Sequence, residues 1–390
     1  MQNSLKIYLL AFISFLIGTA EYIIAGILDR IAIDLDLPVS VAGQMITVFS
    51  IAFAIGTPIV IALTSQVDRK KLLISALTVF AFANLVTLAL TDYGWLIFSR
   101  AVSGLSAGIV EVILLTLAAT LAAPGKKAGA IAMVVIGFSA ALVIGVPLGR
   151  LASSVMDWRF IFGVLGTLSV LSLVPIAYAL PKMRGETDIP LKQQLMLLGN
   201  KKISSTYVMT FFWIAAFSII YSYISPYLSH VANMSGNEIS VMLLVAGGAS
   251  IVGSRLGGWF TDRSGYAPIL LIGFMVHAIT LIMIFIFSNM MTAVFTLFII
   301  WSAAAWSSGP AIQIRLISLA PESTSIIFSL YASIIQLGMA AGAIIGGVAI
   351  QLGSPTFLPI FALISVYVAY ALLAKSSKKT ELNCQKSMGF

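Results

Sequence analysis

The sequence predicts an all-α integral membrane fold, with twelve transmembrane helices in two pseudo-symmetric six-helix bundles around a central cavity. Composition, the length of the apolar runs and an internal repeat carry that prediction. Charged residues make up 9% of the chain and hydrophobic ones 60%, against about 25% and 45–50% in soluble proteins, so a water-soluble surface cannot be built from it. Crossing the ~30 Å hydrocarbon core takes about 20 apolar residues. About twelve such runs recur, at roughly 7–28, 41–63, 71–91, 95–122, 128–152, 158–180, 205–227, 239–260, 267–288, 291–319, 324–351 and 355–374. The stretch Gly258, Asp262, Arg263 and Gly265 matches the chain around Ser65, Asp68, Arg69 and Lys70 at an offset of 262 − 65 = 197 positions. The same offset pairs Ala123-Pro124 with Ala320-Pro321, Gly145 with Gly342, Gly149 with Gly346 and Ala152 with Ala349. The chain therefore reads as two copies of one membrane unit, the architecture of a transporter.

In order along the chain, residues 1–180 form an N-terminal six-helix bundle, 181–204 a cytoplasmic linker, 205–375 a C-terminal six-helix bundle and 376–390 a short, polar and mobile cytoplasmic tail. The linker carries two prolines, two glycines and five Lys/Arg. Its Leu191, Leu195, Met196 and Leu198 suit either a short helix on the inner membrane face or a plain tether. The first apolar run is too long for a signal-peptide core and reads as retained. Glycines crowd particular helices: Gly137, Gly145 and Gly149 in the fifth, Gly247, Gly248, Gly253, Gly257 and Gly258 in the eighth, and Gly338, Gly342, Gly346 and Gly347 in the eleventh. Small residues at helix-turn spacing let backbones approach in lipid, for sliding or for static packing.

The net charge of +8 is a topology signal rather than a nucleic-acid footprint. With Lys6 inside, Arg69, Lys70, Lys71, Lys126, Lys127, Lys182, Arg184, Lys192, Lys201, Lys202, Arg263, Lys375, Lys378, Lys379 and Lys386 also fall inside, and only Arg30 and Arg159 fall in outer loops. This bias puts both termini in the cytoplasm of a multi-pass protein of the cell membrane. The single cysteine, Cys384, allows neither an internal disulfide nor a thiolate metal site. The sequence holds no nucleotide loop, no nucleophile with His and acid at meaningful spacing, and no metal-ligand cluster, which excludes an enzyme reading. No cofactor and no metal are expected, His230 and His277 being isolated.

Several motifs then fall in order. Gly258, Asp262, Arg263 and Gly265 match the first four fixed positions of a G-x-x-x-D-R-x-G-R-[KR] loop. The first repeat departs from it, with Ile61, Ser65 and Asp68 at the glycine, acid and second-glycine positions, while Arg69 and Lys70 keep the basic pair. Arg100, Gly104 and Gly108 fit R-x-x-x-G-x-x-x-G on the fourth helix, and Gly145, Pro147 and Gly149 fit G-x-P-x-G on the fifth. Together these resemble the major facilitator superfamily, more narrowly its twelve-helix drug:proton antiporter branch. Gly18-Thr19-Ala20-Glu21-Tyr22 and Ala42-Gly43-Gln44 resemble the sugar, arabinose and purine-nucleoside exporters within that branch. The resemblance covers nearly the whole chain. It implies export of a small molecule such as a drug, purine, nucleoside or sugar in exchange for protons, with first and fourth helices lining the cavity and Gly145, Pro147 and Gly149 as the antiporter motif.

Charges inside the apolar runs are few: Glu21, Arg100, Glu111, Arg150, Arg255 and Arg315. Each costs about 2.5–3.5 kcal/mol on insertion scales, so each needs a partner, water or a function. Glu21 lies ~22 Å from Lys6 and Glu111 ~20 Å from Pro124 along their helices, so the two share a depth. Desolvation and a second carboxyl both disfavour the charged form, so such a group can load and release protons. Glu21, Glu111 or both are expected to carry a coupling proton; a permanently protonated, hydrogen-bonded carboxyl and direct substrate binding are the alternatives. Arg100 lies ~16 Å from Glu111, too far for a pair. It either faces Glu21, Asp29 or Asp34, or anchors its helix by snorkelling.

Arg255 falls seven residues before Asp262 on the same helical face, suggesting a pair. Arg69, Lys70, Arg255, Gly258, Asp262, Arg263 and Gly265 then read as a conformational latch, or as a helix cap with topology-setting charge. The tenth run carries Trp301, Trp306, Gly309, Pro310, Gln313 and Arg315. Pro310 is expected to kink it and expose polar groups. Trp301, Trp306 and Gln313, with Trp213, Tyr221 and Tyr223 on the seventh helix, suit a planar or amphipathic solute, or are lipid-facing aromatics. The expected partners are a small-molecule substrate, protons and the lipid bilayer, without nucleic acid, and one chain should suffice as a monomer. A proton-coupled importer of the same fold and a non-transporting receptor are the rival readings.

Overall fold

The computed structural model describes residues 3–64, 66–122, 127–181, 196, 198–320 and 324–387. Among these residues, twelve helices are long and apolar enough to cross a membrane. They are α1 (Ser4–Asp34), α2 (Val39–Leu63), α3 (Arg69–Ala89), α4 (Tyr93–Leu121), α5 (Gly129–Ala152), α6 (Arg159–Ala179), α7 (Lys201–Tyr221), α8 (Gly236–Ser264), α9 (Tyr266–Ile286), α10 (Met291–Leu319), α11 (Leu330–Gln351) and α12 (Pro355–Ala374). Apart from Met196 and Leu198, the expected linker helix lies outside the described residues, as do Ser65, Ala123-Pro124 and Pro321. The last helix continues to Ser387, so the tail expected to be mobile is helical for most of its length.

Five of the six pairs of helix starts keep the repeat offset to within one residue: 201 − 4 = 197, 236 − 39 = 197, 266 − 69 = 197, 291 − 93 = 198 and 355 − 159 = 196. The chain divides into two compact units. One is Met1–Asp188 with Ser222–Ser229 and Met234–Leu244; the other is Ile189–Tyr221 with His230–Asn233 and Val245–Phe390. In the first unit α1 packs on α4, α5 and α6, and α3 packs on α4 and α6. The second unit repeats the scheme, with α7 on α11 and α12, and α9 on α10 and α12.

Glycine sets the closest of these contacts, because lipid supplies no hydrophobic drive and helices in a membrane associate by packing. A Cβ on Gly104 would stand 2.2 Å from the Phe49 carbonyl oxygen, fixing α4 on α2. In the second unit the small residues move to the other helix: Cβ atoms on Gly253 and Gly257 of α8 would each stand 2.1 Å from a carbonyl of α10, at Ala303 and Ser307. Gly145 faces Thr19 on α1, and its counterpart Gly342 faces Ala215 and Ser218 on α7.

Among the described residues two helices carry one widened, π-type turn, at Ala52–Gly56 in α2 and Ala141–Gly145 in α5. Pro58 and Pro147 follow them. Proline has no N–H to donate and its ring clashes with the carbonyl four residues back, and a wider turn relieves both. The equivalent positions of the second repeat, 58 + 197 = 255 and 147 + 197 = 344, hold Arg255 and Ile344, and those helices run without a wide turn. Through Pro310, too, α10 stays continuous.

Candidate functional site

In the interior of the first unit, α1 and α4 bring charge together. Arg100 on α4 is 2% exposed. It donates from Nη2 to the Ala20 carbonyl of α1 at 2.9 Å, and its guanidinium lies 4.5 Å from the Phe49 ring and 5.6 Å from the Phe162 ring. Aromatic faces offset part of the cost of burying a cation. Its Nε and Nη1 make no hydrogen bond among the described residues. Glu21, next to Ala20 and 5% exposed, is within electrostatic reach of Arg100 and also of Glu111. Glu111 is half-buried. Of the partners weighed for Arg100, the structure thus brings Glu21 to it.

Asp29 and Asp34 are held elsewhere. Arg150 grips Asp29 with both Nη atoms, Nη1 to Oδ1 and Nη2 to Oδ2, the latter at 2.9 Å. Nη1 also donates to the Gly26 carbonyl at 3.1 Å and to Ser225 Oγ at 2.7 Å. Asp34 accepts from Arg159 at 2.8 Å and from the Trp158 indole at 3.2 Å. Sequence reasoning singled out Arg150 without naming its partner, although depth was a usable signal: Asp29 lies 29 − 6 = 23 residues from Lys6 and Arg150 lies 150 − 127 = 23 from Lys127.

The aromatic residues of the second unit form a packed cluster. Phe217 on α7 stacks between Tyr221, at 5.1 Å and 14°, and Trp301 of α10, at 5.2 Å and 6°, with Trp306 edge-on at 5.6 Å. Trp301 donates to His277 Nε2 at 2.9 Å and Trp213 donates to the Ala305 carbonyl at 2.9 Å. The indoles of Trp301 and Trp213 are therefore core residues that tie α9 and α7 to α10, not exposed cavity walls, while Trp306 and Gln313 stay half-buried. Gln313 is within hydrogen-bonding reach of Tyr331. Tyr223 leaves the set expected of the seventh helix. That helix ends at Tyr221, and Tyr223 is buried in the first unit, where its hydroxyl occupies the space a Cβ on Gly43 would need.

The two repeat turns are built differently. Gly265, at φ 78°, leads into α9, a left-handed backbone that favours glycine. At the equivalent position, 265 − 197 = 68, Asp68 has φ −53° and caps α3 through its side chain, which accepts from the Lys71 amide at 3.0 Å. Lys70 donates to the carbonyls of Ala177 and Leu180 at 2.6 and 2.7 Å, closing the C-terminal end of α6. Arg69 is buried. In the second repeat Arg255, Asp262 and Arg263 are exposed. The expected Arg255–Asp262 pair is not formed among the described residues; Arg263 lies instead over the Trp259 ring at 3.7 Å. Gly258 is in open packing, 3.8 Å from the nearest atom its Cβ would meet.

A duplicated twelve-helix membrane bundle with charges held in its interior defines a multi-pass protein of the secondary-transporter class. The chain belongs to the Major Facilitator Superfamily, whose family model matches residues 10–343. It is 41% identical over 385 residues, 98% of this chain and 99% of the relative, to the uncharacterized MFS-type transporter YbcL of Bacillus subtilis (strain 168). Its fold resembles the crystal structure of a bacterial homolog to the human lysosomal transporter Spinster, in an inward-facing and occupied conformation, with TM-score 0.76, 16% identity and 97% of each chain covered. The nucleoside transporter NupG is also similar, with TM-score 0.75 and 13% identity over 95% of this chain and 99% of that one. The family is one of transporters rather than enzymes.

Proposed function

We propose that the chain is a proton-coupled exporter of the cell membrane that moves a small organic molecule, of the drug, purine, nucleoside or sugar kind, outward by alternating access in exchange for protons. One chain suffices, and both termini are cytoplasmic, as the positive-inside bias supports. The observation that carries the reading is the grouping of Glu21, Glu111 and Arg100 in the interior of the first unit. Carboxyls in such a place are retained for a function, and a group that takes up a proton on one side and releases it on the other couples cargo to the gradient. The half-buried Trp306 and Gln313 offer a ring and an amide to a planar solute. The turn at Gly258, Asp262, Arg263 and Gly265 serves as a latch between transport states.

Purified protein in liposomes with an entrapped pH dye tests this with ethidium, adenosine and arabinose as probes. Movement of one of them is expected to dissipate the pH gradient in the antiport sense. Movement with protons in the same direction supports an importer instead, and a cargo flux that ignores the gradient in the wild type and in both Glu21→Gln and Glu111→Gln defeats the reading.

A further inference from the structure

The two carboxyls are not equivalent. Glu21 follows Ala20, whose carbonyl accepts from Arg100 at 2.9 Å, and it is within electrostatic reach of that guanidinium. Arg100 keeps Nε and both N–H groups of Nη1 without a hydrogen-bond partner among the described residues, so donors remain for a carboxylate at its side. Glu111 stands three helical turns further along α4, ~16 Å from Arg100 by helix rise. Its side chain makes no hydrogen bond among the described residues, and the group in its electrostatic reach is another acid, Glu21.

Of the other charges on the helices packed against α4, Lys6, Arg69, Lys71 and Lys127 stand at the starts of their helices, and those deeper in or at the far ends are engaged elsewhere. Asp29 and Arg150 hold each other, Arg159 is shared by Asp34 and Asp157, Lys70 binds the carbonyls ending α6, and Arg30 donates to the Ser153 carbonyl. Residues 39–63 of α2 carry no charge at all. The second repeat supplies no replacement, because the positions equivalent to the two acids, 21 + 197 = 218 and 111 + 197 = 308, are Ser218 and Ser308.

Counting charge then separates the roles. Arg100 balances one negative charge, so ionising both acids leaves the interior at −1, and only a proton or a cationic cargo on the second acid restores neutrality. We propose that Glu21 is the standing counter-ion of Arg100 and that Glu111 alone loads and releases the coupling proton, one per cycle. The assignment rests on the proton-coupled reading above and makes Arg100 a positioning residue, which acts by keeping Glu21 ionised.

Infrared difference spectroscopy of the purified protein in lipid, titrated with pH and without any cargo, reads this directly through the C=O stretch of protonated carboxyls. The wild type is expected to show one titrating interior carboxyl. Glu21→Gln keeps that band and Glu111→Gln loses it. Arg100→Gln gains a second titrating band, because Glu21 loses its cation, and Arg100→Lys restores the single band. Should Arg100→Gln fail to fold, the two glutamate variants still decide. Loss of the band in Glu21→Gln, in both variants or in neither overturns the assignment. Because no cargo is used, failure here is distinct from failure of the liposome experiment: a correct band with no coupled flux leaves the charge states of Glu21 and Glu111 standing and removes the transport reading and the coupling role with it.

Discussion

Cutting the Asp29–Arg150 pair tests how strongly buried charge holds the first unit. The two side chains are 11% and 3% exposed and joined through both oxygens of the acid. Taking two ions out of water costs several kcal/mol each, and their attraction in the interior returns roughly that amount, so the intact pair is near break-even. Breaking it is a different matter. In Arg150→Met the Asp29 carboxylate stays buried without its cation, and in Asp29→Asn the guanidinium stays buried without its anion; each should cost about 3–5 kcal/mol. The double variant leaves neither charge behind and should lose less than about 2 kcal/mol, giving a coupling energy of at least ~4 kcal/mol. Unfolding free energies of the four proteins, from SDS titration in mixed micelles followed by tryptophan fluorescence, measure the cycle. Single losses that simply add, to within about 0.5 kcal/mol, would refute the reasoning.

The same assay checks the remaining expectations. Ser225→Ala removes a hydroxyl that accepts from Arg150 at 2.7 Å and reaches Gly26 and Asp29 at 3.0 Å, and should cost about 1.5–3 kcal/mol, the range for hydrogen bonds to charged groups. Gly265→Ala forces a side chain onto φ 78° and should cost about 1–2 kcal/mol, whereas Gly258→Ala, with room for its methyl, should stay within about 0.5 kcal/mol of the wild type. Gly104→Ala drives a methyl to 2.2 Å from the Phe49 carbonyl and should cost at least about 1–3 kcal/mol, with a lower yield of folded protein. His277→Leu leaves the Trp301 indole N–H buried without its acceptor, at about 1–3 kcal/mol, and should shift tryptophan emission.

The helices were legible in the sequence because lipid leaves no choice: a span needs an unbroken apolar run, and the 197-residue offset repeats from run to run. Glu21, Glu111 and Arg100 were legible for the same reason, since a charge among apolar residues stands out by its cost. What stayed hidden depends on neighbours that spacing does not report. The seven residues from Arg255 to Asp262 put both on one face, yet ~10.5 Å apart along the axis; Arg263 found Trp259 four residues back, which is the spacing at which helix side chains meet. Tyr223 was misplaced because the apolar run continues past the point where α7 ends. The burial of Trp213 and Trp301 is tertiary, decided by a carbonyl of α10 and an imidazole of α9.

The repeat shows where duplication has been kept and where it has been spent. Some contacts that set the backbone survive it: Gly145 against α1 and Gly342 against α7 hold equivalent places. Others do not. Position 104 is a glycine that admits α2, while position 301 is a tryptophan in an aromatic stack, and the glycines needed for the equivalent approach appear on α8 instead. Prolines 58 and 147 widen turns in the first repeat and have no counterpart in the second, and the glutamates at 21 and 111 become serines at 218 and 308. Two copies can trade small residues between packed helices, because either helix can supply the gap. Charge cannot be traded in that way, since a buried carboxylate needs its cation on a neighbouring helix. Arg100 lies in the first copy and Leu297 stands at its equivalent in the second, so an acid that takes Arg100 as its cation, the role proposed for Glu21, has its place in the first copy.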